Sequence, residues 1–124
     1  MATRYTKFTL RKKRIERLQR EIGWLKNVED ATGADAKRLK AKLEHELFWL
    51  NADITHAYEI VNCMKTEKEK MVTELRYFDG MEWTEIAKET GLSLQRLYQI
   101  NMQIRIHFND KGRDDLLFSE DPGR

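Results

Sequence analysis

One apolar stripe constrains the fold of this chain more than any other feature of its sequence. The stripe follows helical spacing, with one extra four-residue step in a series that resembles a coiled coil. Its members are Ala36, Leu39, Leu43, Leu47, Leu50, Ile54, Ala57, Val61 and Met64. The spacing predicts a helix of about 30 residues, which extends ~45 Å. A helix of this length has to bury its stripe against another long element.

A shorter amphipathic helix precedes it. Its apolar positions recur at three- and four-residue spacing: Ile15, Leu18, Ile22 and Leu25. They predict a helix from about Thr9 to Glu29. Thr32 and Gly33 interrupt the pattern, because glycine suits the left-handed conformation past a helix end, and Asp35 lies near the next helix start. We therefore predict that residues 1–64 form a long, coiled-coil-like helical hairpin.

The composition agrees with an all-α protein. Six glycines and one proline provide too few turns for a β-sandwich, and 124 residues suit one domain or a small domain with an extension. No apolar run approaches the ~20 residues of a membrane span, and no signal-peptide core follows the basic N-terminus. The single Cys63 agrees with a reducing compartment. We therefore expect a cytoplasmic protein that has no membrane partner.

The second helix carries another stripe on a different face. This stripe consists of His45, Trp49, Ala52, His56, Ile60 and Cys63. A helix that is apolar on two faces usually packs against more than one neighbour. The first helix is also about ten residues shorter, so it leaves part of the main stripe for the C-terminal segment or another subunit to cover. We predict a homodimer through the second helix.

Residues 65–109 predict three further helices. Thr66 and Glu69 have the spacing of a capping box, which opens a helix that runs to about Phe78, and Gly80 follows its end. The predicted buried face of this helix consists of Met71, Leu75 and Phe78. A short helix from about Trp83 to Glu89 comes next, with Ile86 and Ala87 facing inward.

The last predicted helix follows a tight turn. Gly91 supports this turn, Ser93 caps the helix, and the small Ala87 permits the two helices to cross closely. The apolar positions of this helix are Leu97, Ile100, Ile104 and Phe108. The arrangement is typical of a helix-turn-helix that binds DNA. The alternative is a helical packing unit without a DNA role.

Residues 66–108 resemble region 4 of bacterial sigma-70-type factors, which reads the upstream promoter element. The resemblance rests on ELRYFDGMEWTEIA at 74–87 and TGLS at 90–93. In addition, Arg-Leu at 96–97 and Gln-Ile at 99–100 resemble the recognition helix of housekeeping sigma factors. Nothing upstream resembles sigma region 2, the module that melts promoter DNA, so the chain is not a complete sigma factor. The whole layout is similar to small phage late-transcription regulators of the ArpU and RinA kind.

The resemblance implies a phage-encoded, sequence-specific regulator of transcription that binds double-stranded DNA. It places Ser93 near a phosphate and directs four side chains toward the major groove: Gln95, Arg96, Tyr98 and Gln99. Arg pairs with guanine and Gln with adenine in that groove. Arg76 and Thr84 are further candidates for contacts to the DNA backbone. Leu94 and Tyr98 stand where housekeeping sigma factors carry Arg, so we expect a different DNA site.

Positive charge is concentrated near the N-terminus. Residues 1–29 hold 9 Lys and Arg against 3 Asp and Glu, whereas residues 66–109 hold 6 against 7. Nonspecific DNA affinity comes mostly from Lys and Arg at phosphates, so the predicted helix-turn-helix needs charge from elsewhere. Lys12, Lys13 and Arg14 are the candidates for these contacts to the DNA backbone. The alternative is a basic, solvated face that binds nothing.

Other chemistry has little support in the sequence. His45, His56 and Cys63 lie too far apart along one helix to share a metal ion. The chain also lacks a P-loop or dinucleotide-binding glycine pattern and any catalytic constellation. We therefore expect no enzyme, no metal and no cofactor.

Residues 110–124 form an acidic segment, which we predict to be flexible because it combines polar residues with glycine and proline. Within it, residues 114–118 place three adjacent apolar side chains after two aspartates. Two explanations remain open at this point. The patch docks on a partner, or it folds back over the stripe of the second helix.

Two mechanisms and one alternative function follow from the sequence. The protein binds operator DNA as a dimer and activates or represses, or its sigma-like module engages bacterial RNA polymerase with DNA in a secondary role. The alternative is a protein-interaction module that inhibits a host protein without specific DNA binding.

Overall fold

The computed structural model describes residues 6–117, except for the side chains of residues 28–32. Within that range the chain is helical and contains no strand. The helices are α1 (Lys7–Thr32), α2 (Ala34–Asn62), α3 (Glu67–Thr73), α4 (Trp83–Thr90) and α5 (Leu94–Asp110). A π-helical turn (Glu74–Phe78) extends α3, and a 3₁₀ turn (Asp114–Leu116) follows α5. The all-α prediction is confirmed.

Helices α1 and α2 run antiparallel and are joined at Gly33, whose φ of 73° lies in the left-handed region. Contacts between them fix the direction. Arg14 Nε donates to Glu46 Oε2 at 2.8 Å, and Arg11 Nε donates to Asp53 Oδ2 at 3.2 Å. The start of α1 therefore lies beside the end of α2.

Helix α1 begins two residues before the predicted start because Thr6 and Thr9 form a reciprocal cap. The Thr9 N–H donates to Thr6 Oγ1 at 3.1 Å, and the Thr6 N–H donates to Thr9 Oγ1 at 2.7 Å. The Thr6 hydroxyl also donates to the Tyr77 carbonyl at 2.6 Å, across 71 residues of chain. This bond ties the start of α1 to the π-helical turn.

The apolar stripe of α1 is buried as predicted, at Ile15, Leu18, Ile22 and Leu25. The main stripe of α2 is buried at Ala36 and again from Ile54 to Met64. Between these ends Leu43, Leu47 and Leu50 are only partly buried, and Leu39 is 47% exposed. Helix α2 is therefore covered more completely near its C-terminus.

One hydrophobic cluster joins every element of the fold. It includes Phe8 of α1, Val72 of α3, Ile86 of α4 and the inner side of α5. On α5 the predicted stripe is confirmed, with Leu97, Ile100, Ile104 and Phe108 all buried. We call residues 6–17 and 47–117 the base, which holds this cluster, and residues 18–46 the arm.

The predicted buried face of α3 is wrong at Met71, which is exposed. Leu75 and Phe78 are partly buried and pack against the base cluster. Val72 and Tyr77, which the prediction left out, are buried. The buried face is shifted by one residue and runs through Val72, Thr73, Arg76 and Tyr77, and the shift begins before the π-helical turn. The spacing of apolar residues did not show it, because the side of α3 that faces the core is set by packing against α2 and α5. In the π-helical turn itself, the Asp79 N–H donates to the Glu74 carbonyl five residues earlier at 2.8 Å.

The prediction of a flexible C-terminal segment is wrong for Leu116 and Leu117. Leu116 and Leu117 are among the most deeply buried side chains of the chain and belong to the base cluster. The explanation in which this patch folds back is therefore correct for these two leucines. Phe118 and residues 119–124 lie outside the described residues.

The second stripe predicted on α2 is partly covered within the chain. Ile60 is buried, and His56 Nδ1 lies 3.0 Å from Arg113 Nη1, which donates to it. Trp49 is 55% exposed, and His45 is exposed as well. The part of this stripe that stays exposed is therefore shorter than the stripe that the sequence predicted.

Candidate nucleic-acid interface

Helices α4 and α5 are joined by a short turn with well-defined ends. The Gly91 N–H donates to the Ala87 carbonyl at 2.9 Å, and φ at Gly91 is 75°. The Thr90 hydroxyl donates to the Ile86 carbonyl at 2.7 Å and accepts from the Leu92 N–H at 3.2 Å. Each of these polar groups at the end of α4 thus helps to fix the direction of the turn.

Ser93 begins α5 as the sequence predicted. Its hydroxyl accepts from the Arg96 N–H at 3.1 Å, which satisfies one of the free amides of the first turn. Ser93 itself is exposed. The first turn of α5 therefore faces solvent with a fixed geometry.

The four predicted base-contact residues lie on the exposed side of α5, opposite its buried stripe: Gln95, Arg96, Tyr98 and Gln99. Arg96 Nη1 donates to Gln99 Oε1 at 3.4 Å. This long hydrogen bond between neighbouring turns leaves both groups accessible. The structure brings these four residues onto one continuous surface.

The orientation of α5 is held from its inner side. The Tyr77 hydroxyl donates to Asn101 Oδ1 at 2.6 Å, which joins the π-helical turn to the middle of α5. His107 Nε2 lies 3.2 Å from Glu69 Oε1, which joins α3 to the last turns of α5. These polar contacts flank the buried stripe, so α5 is anchored along most of its length.

Arg76 does not fit the expected contact to the DNA backbone. Arg76 is buried, with only 6% of the residue exposed. Its Nη1 donates to the Met81 carbonyl at 2.9 Å. Its guanidinium carbon lies 4.7 Å from the centroid of the Trp83 ring. Glu82 Oε1 lies 3.9 Å from Nη1 of Arg76. Arg76 instead supports Trp83, which in turn contacts Tyr98 edge to face at 5.8 Å. No local pattern reveals this role, because it depends on the packing of three elements.

Thr84 is exposed in the first turn of α4. Glu82 occupies the N-cap position and makes no side-chain cap, and Glu85 lies in the same turn. Two carboxylates at a helix start repel an anion such as phosphate. The surroundings of Thr84 therefore weaken the expected contact to the DNA backbone.

The three basic candidates of α1 differ in their surroundings. Lys12 and Lys13 are exposed, and Lys12 Nζ lies 5.9 Å from the Phe8 ring centroid. Arg14 donates two hydrogen bonds to Glu46, at 2.8 and 3.0 Å. This pairing raises the pKa of Arg14 and lowers the pKa of Glu46. The charge of Arg14 is therefore balanced within the chain.

Sequence reasoning missed an apolar component of the exposed side of α5. Met102 is 64% exposed and Ile106 is exposed as well, and both follow Tyr98 at four-residue spacing. The sequence could have shown this, because Met102 and Ile106 do not fall on the helical spacing of the buried stripe of α5. With the exposed Leu94 and Tyr98, these residues form an apolar line along the whole outer side of α5, beside the polar groups near its start.

No family model, no curated protein and no solved structure matches the chain. No helix among residues 6–117 is long and apolar enough to cross a membrane. Within the same part of the chain, no group of three or more His, Cys, Asp or Glu side chains is arranged to hold a metal ion.

Proposed function

We propose that this protein is a sequence-specific DNA-binding regulator of transcription, in which α4 and α5 act as a helix-turn-helix. The observation that carries the proposal is the exposed, capped start of α5, with Arg96 and Gln99 side by side on it. A recognition helix contacts base edges mainly through its N-terminal residues. The resemblance to sigma region 4 also supports this assignment.

The two central residues have complementary reading chemistry. The Arg96 guanidinium has the donor geometry for guanine O6 and N7, and the Gln99 amide has a donor and an acceptor for adenine N7 and N6. Gln95 and Tyr98 flank them on the same exposed side of the helix. Ser93 lies at the helix start, where a hydroxyl is suited to a phosphate contact.

Charge for the DNA backbone comes from α1 in this proposal. The exposed side chains of Lys12 and Lys13 supply it in this proposal, and Arg14, which pairs with Glu46, adds to it less. The regulator is phage-encoded, as the similarity to the ArpU and RinA kind suggests, and it acts in the bacterial cytoplasm.

The test begins with selection of genomic fragments by the purified full chain at low salt. Any enriched site is then titrated at two salt concentrations with wild type, Arg96→Ala and Gln99→Ala. Removal of one good base contact costs ~1–3 kcal/mol, or roughly 5- to 150-fold in affinity. Gln19→Ala, an exposed glutamine on α1, is the matched control and leaves affinity unchanged.

Neutralising Lys12 and Lys13 together separates the role of the DNA backbone from that of the bases. We expect weaker binding to all sequences alike and a salt slope reduced by about 0.9 for each phosphate that the variant no longer neutralises. Unchanged affinity and slope contradict the role of α1. If no fragment is enriched even at low salt, DNA binding by this chain is wrong.

A second candidate function rests on the apolar groups of α5. Met102 and Ile106 are exposed on a helix of a nearly neutral segment, which favours a protein partner such as bacterial RNA polymerase or another host protein. Ile106→Ser distinguishes the two functions. If wild type enriches no DNA fragment but captures purified polymerase, and Ile106→Ser abolishes this capture, the protein-interaction function is favoured.

A further inference from the structure

Seven exposed residues form a continuous line along α2, which we call the outer face. Each of them is exposed in the described chain, although the helix is buried on its opposite side. They are Lys37, Ala41, Glu44, Phe48, Ala52, Thr55 and Glu59. Phe48 at the centre is 63% exposed, and it contacts the exposed Trp49 edge to face at 5.3 Å.

The spacing of the outer face keeps it straight. The steps alternate as four, three and four residues on each side of Phe48. An 11-residue repeat has about 3.67 residues per turn, close to the 3.6 of a straight α-helix. The seven positions therefore form a nearly straight line that another straight helix can follow.

The charges of the outer face also match those of a second copy placed antiparallel to it. A cation, Lys37, lies eleven residues before Phe48, and an anion, Glu59, lies eleven residues after it. An antiparallel second copy centred on Phe48 brings Lys37 opposite Glu59 at both ends. A parallel copy in register brings like charges together at both ends, which is destabilising.

The centre of the line supplies the apolar contact. In such an antiparallel pair, Phe48 would meet Phe48 of the second copy, and the small side chains of Ala41 and Ala52 would permit close approach of the helix backbones. The neighbouring Trp49 would lie beside this contact. We propose that the outer face of α2 binds a second copy of this chain, antiparallel, with Phe48 on the two-fold axis.

This arrangement separates the two copies of α3–α5. Because each follows the C-terminus of α2, the two Asn62 positions lie ~42 Å apart along the paired helices, at 1.5 Å per residue. Two-fold dimers with helix-turn-helix units read inverted half-sites, so this pairing predicts an inverted repeat in the DNA site. The inverted repeat in the DNA site rests on the proposed function, whereas the pairing of α2 does not.

Sedimentation of the full chain without DNA tests the pairing. We expect wild type to sediment as a dimer at tens of micromolar, and Lys37→Glu and Glu59→Lys each to shift it toward monomer. The double variant Lys37→Glu with Glu59→Lys restores the dimer because the pair is only reversed. The control is Lys68→Glu, which makes the same charge change at an exposed residue of α3 and should leave the dimer intact.

A monomeric wild type overturns the proposal and leaves the outer face to a different protein. Single variants that remain dimeric overturn the position of the interface. Neither result bears on DNA binding, which the fragment selection measures separately.

Disulfide formation tests the orientation in a Cys63→Ala background. A mixture of Lys37→Cys and Glu59→Cys chains is expected to cross-link, since one end of the pair then holds two cysteines and the other keeps its ion pair. Lys37→Cys alone is expected not to cross-link. Cross-linking of Lys37→Cys with itself, and not with Glu59→Cys, indicates a parallel pair and overturns the proposed orientation.

Discussion

The base and the arm bury the same kinds of side chain but surround them differently. In the base, α1, α2, α3, α4, α5 and the leucines after α5 contribute to one cluster. In the arm, Leu18, Ile22 and Leu25 of α1 and Ala36 of α2 are buried but do not belong to that cluster. A side chain of the arm thus lies between two helices, whereas a side chain of the base is enclosed on several sides.

This difference separates two tasks within one fold. The base holds α5 in a fixed orientation through its buried stripe and through Asn101 and His107. The arm leaves much of its surface open, including Trp24 and Leu39. Regions with few buried contacts open locally at lower free energy than the core. We expect the base to set the global stability and the arm to open separately.

The largest expected effect is at Phe108, which is fully buried in the base cluster. Phe108→Ala should lower the free energy of unfolding by about 3–5 kcal/mol, since it removes a large side chain and leaves a cavity between fixed neighbours. Urea denaturation followed by circular dichroism measures the change. Met102→Ala, on the exposed side of the same helix, should change it little.

Leu117 and Leu18 are matched leucines, fully buried in the base and in the arm respectively. Leu117→Ala should cost about 2–5 kcal/mol, and Leu18→Ala should fall near the lower end of that range because two helices can collapse onto the space. Native-state hydrogen exchange adds a second difference. Leu18→Ala should accelerate exchange mainly in the arm, and Leu117→Ala in the base. Equal effects in both regions contradict the division of the fold.

The burial of Leu116 and Leu117 was harder to predict from the sequence than the stripes of the helices. The stripes of α1 and α5 were predictable because each helix keeps a constant period and packs along one side. Leu116 and Leu117 were ambiguous, since their polar surroundings resemble a flexible segment and their burial depends on space left between α1, α2 and α5. The one-residue shift of the buried face of α3 was not predictable either, because it depends on packing against α2 and α5.

In the candidate interface, too, the exposed side of a helix was predictable and the contacts between helices were not. The exposure of Gln95, Arg96 and Gln99 was predictable, because they lie off a regular buried stripe. The pairing of Arg14 with Glu46 was not predictable, because these residues are 32 positions apart and meet only when the two helices are aligned. Local periodicity predicts which side of a helix is free, but charge compensation depends on the partner element.

A smaller effect is expected at Asp53, which joins α1, α2 and the segment after α5. It accepts from Arg11 Nε at 3.2 Å and from Arg113 Nη2 at 2.8 Å, and its side chain is 25% exposed. Asp53→Asn should lower the free energy of unfolding by about 1–3 kcal/mol, because two charge-assisted hydrogen bonds are weakened. Asp35→Asn, at an almost fully exposed carboxylate in the first turn of α2, is the control and should have a clearly smaller effect.

The smallest effect concerns the Arg14–Glu46 ion pair, where the arm meets the base, and it depends on pH. The hydrogen bonds from Arg14 hold the pKa of Glu46 below its ordinary value. A carboxylate whose pKa is lower in the folded state stabilises the fold above its unfolded pKa, about 4.3, and this contribution disappears as pH falls through the folded pKa. Asp115, whose pKa is also lowered although burial opposes the shift, acts in the same direction.

Wild type should therefore lose stability as the pH falls below about 4–5. Glu46→Gln should lose less over the same range, because only Asp115 of these two carboxylates is then left to be protonated. At neutral pH the variant should differ from wild type less than Asp53→Asn does, since both partners at Glu46 are more exposed and solvent screens them. Urea midpoints measured from about pH 3 to pH 7, the range that spans the unfolded carboxyl pKa, test this. Parallel pH profiles for Glu46→Gln and wild type indicate that the junction of arm and base gains nothing from the ion pair, and that the apolar stripes alone join the two regions.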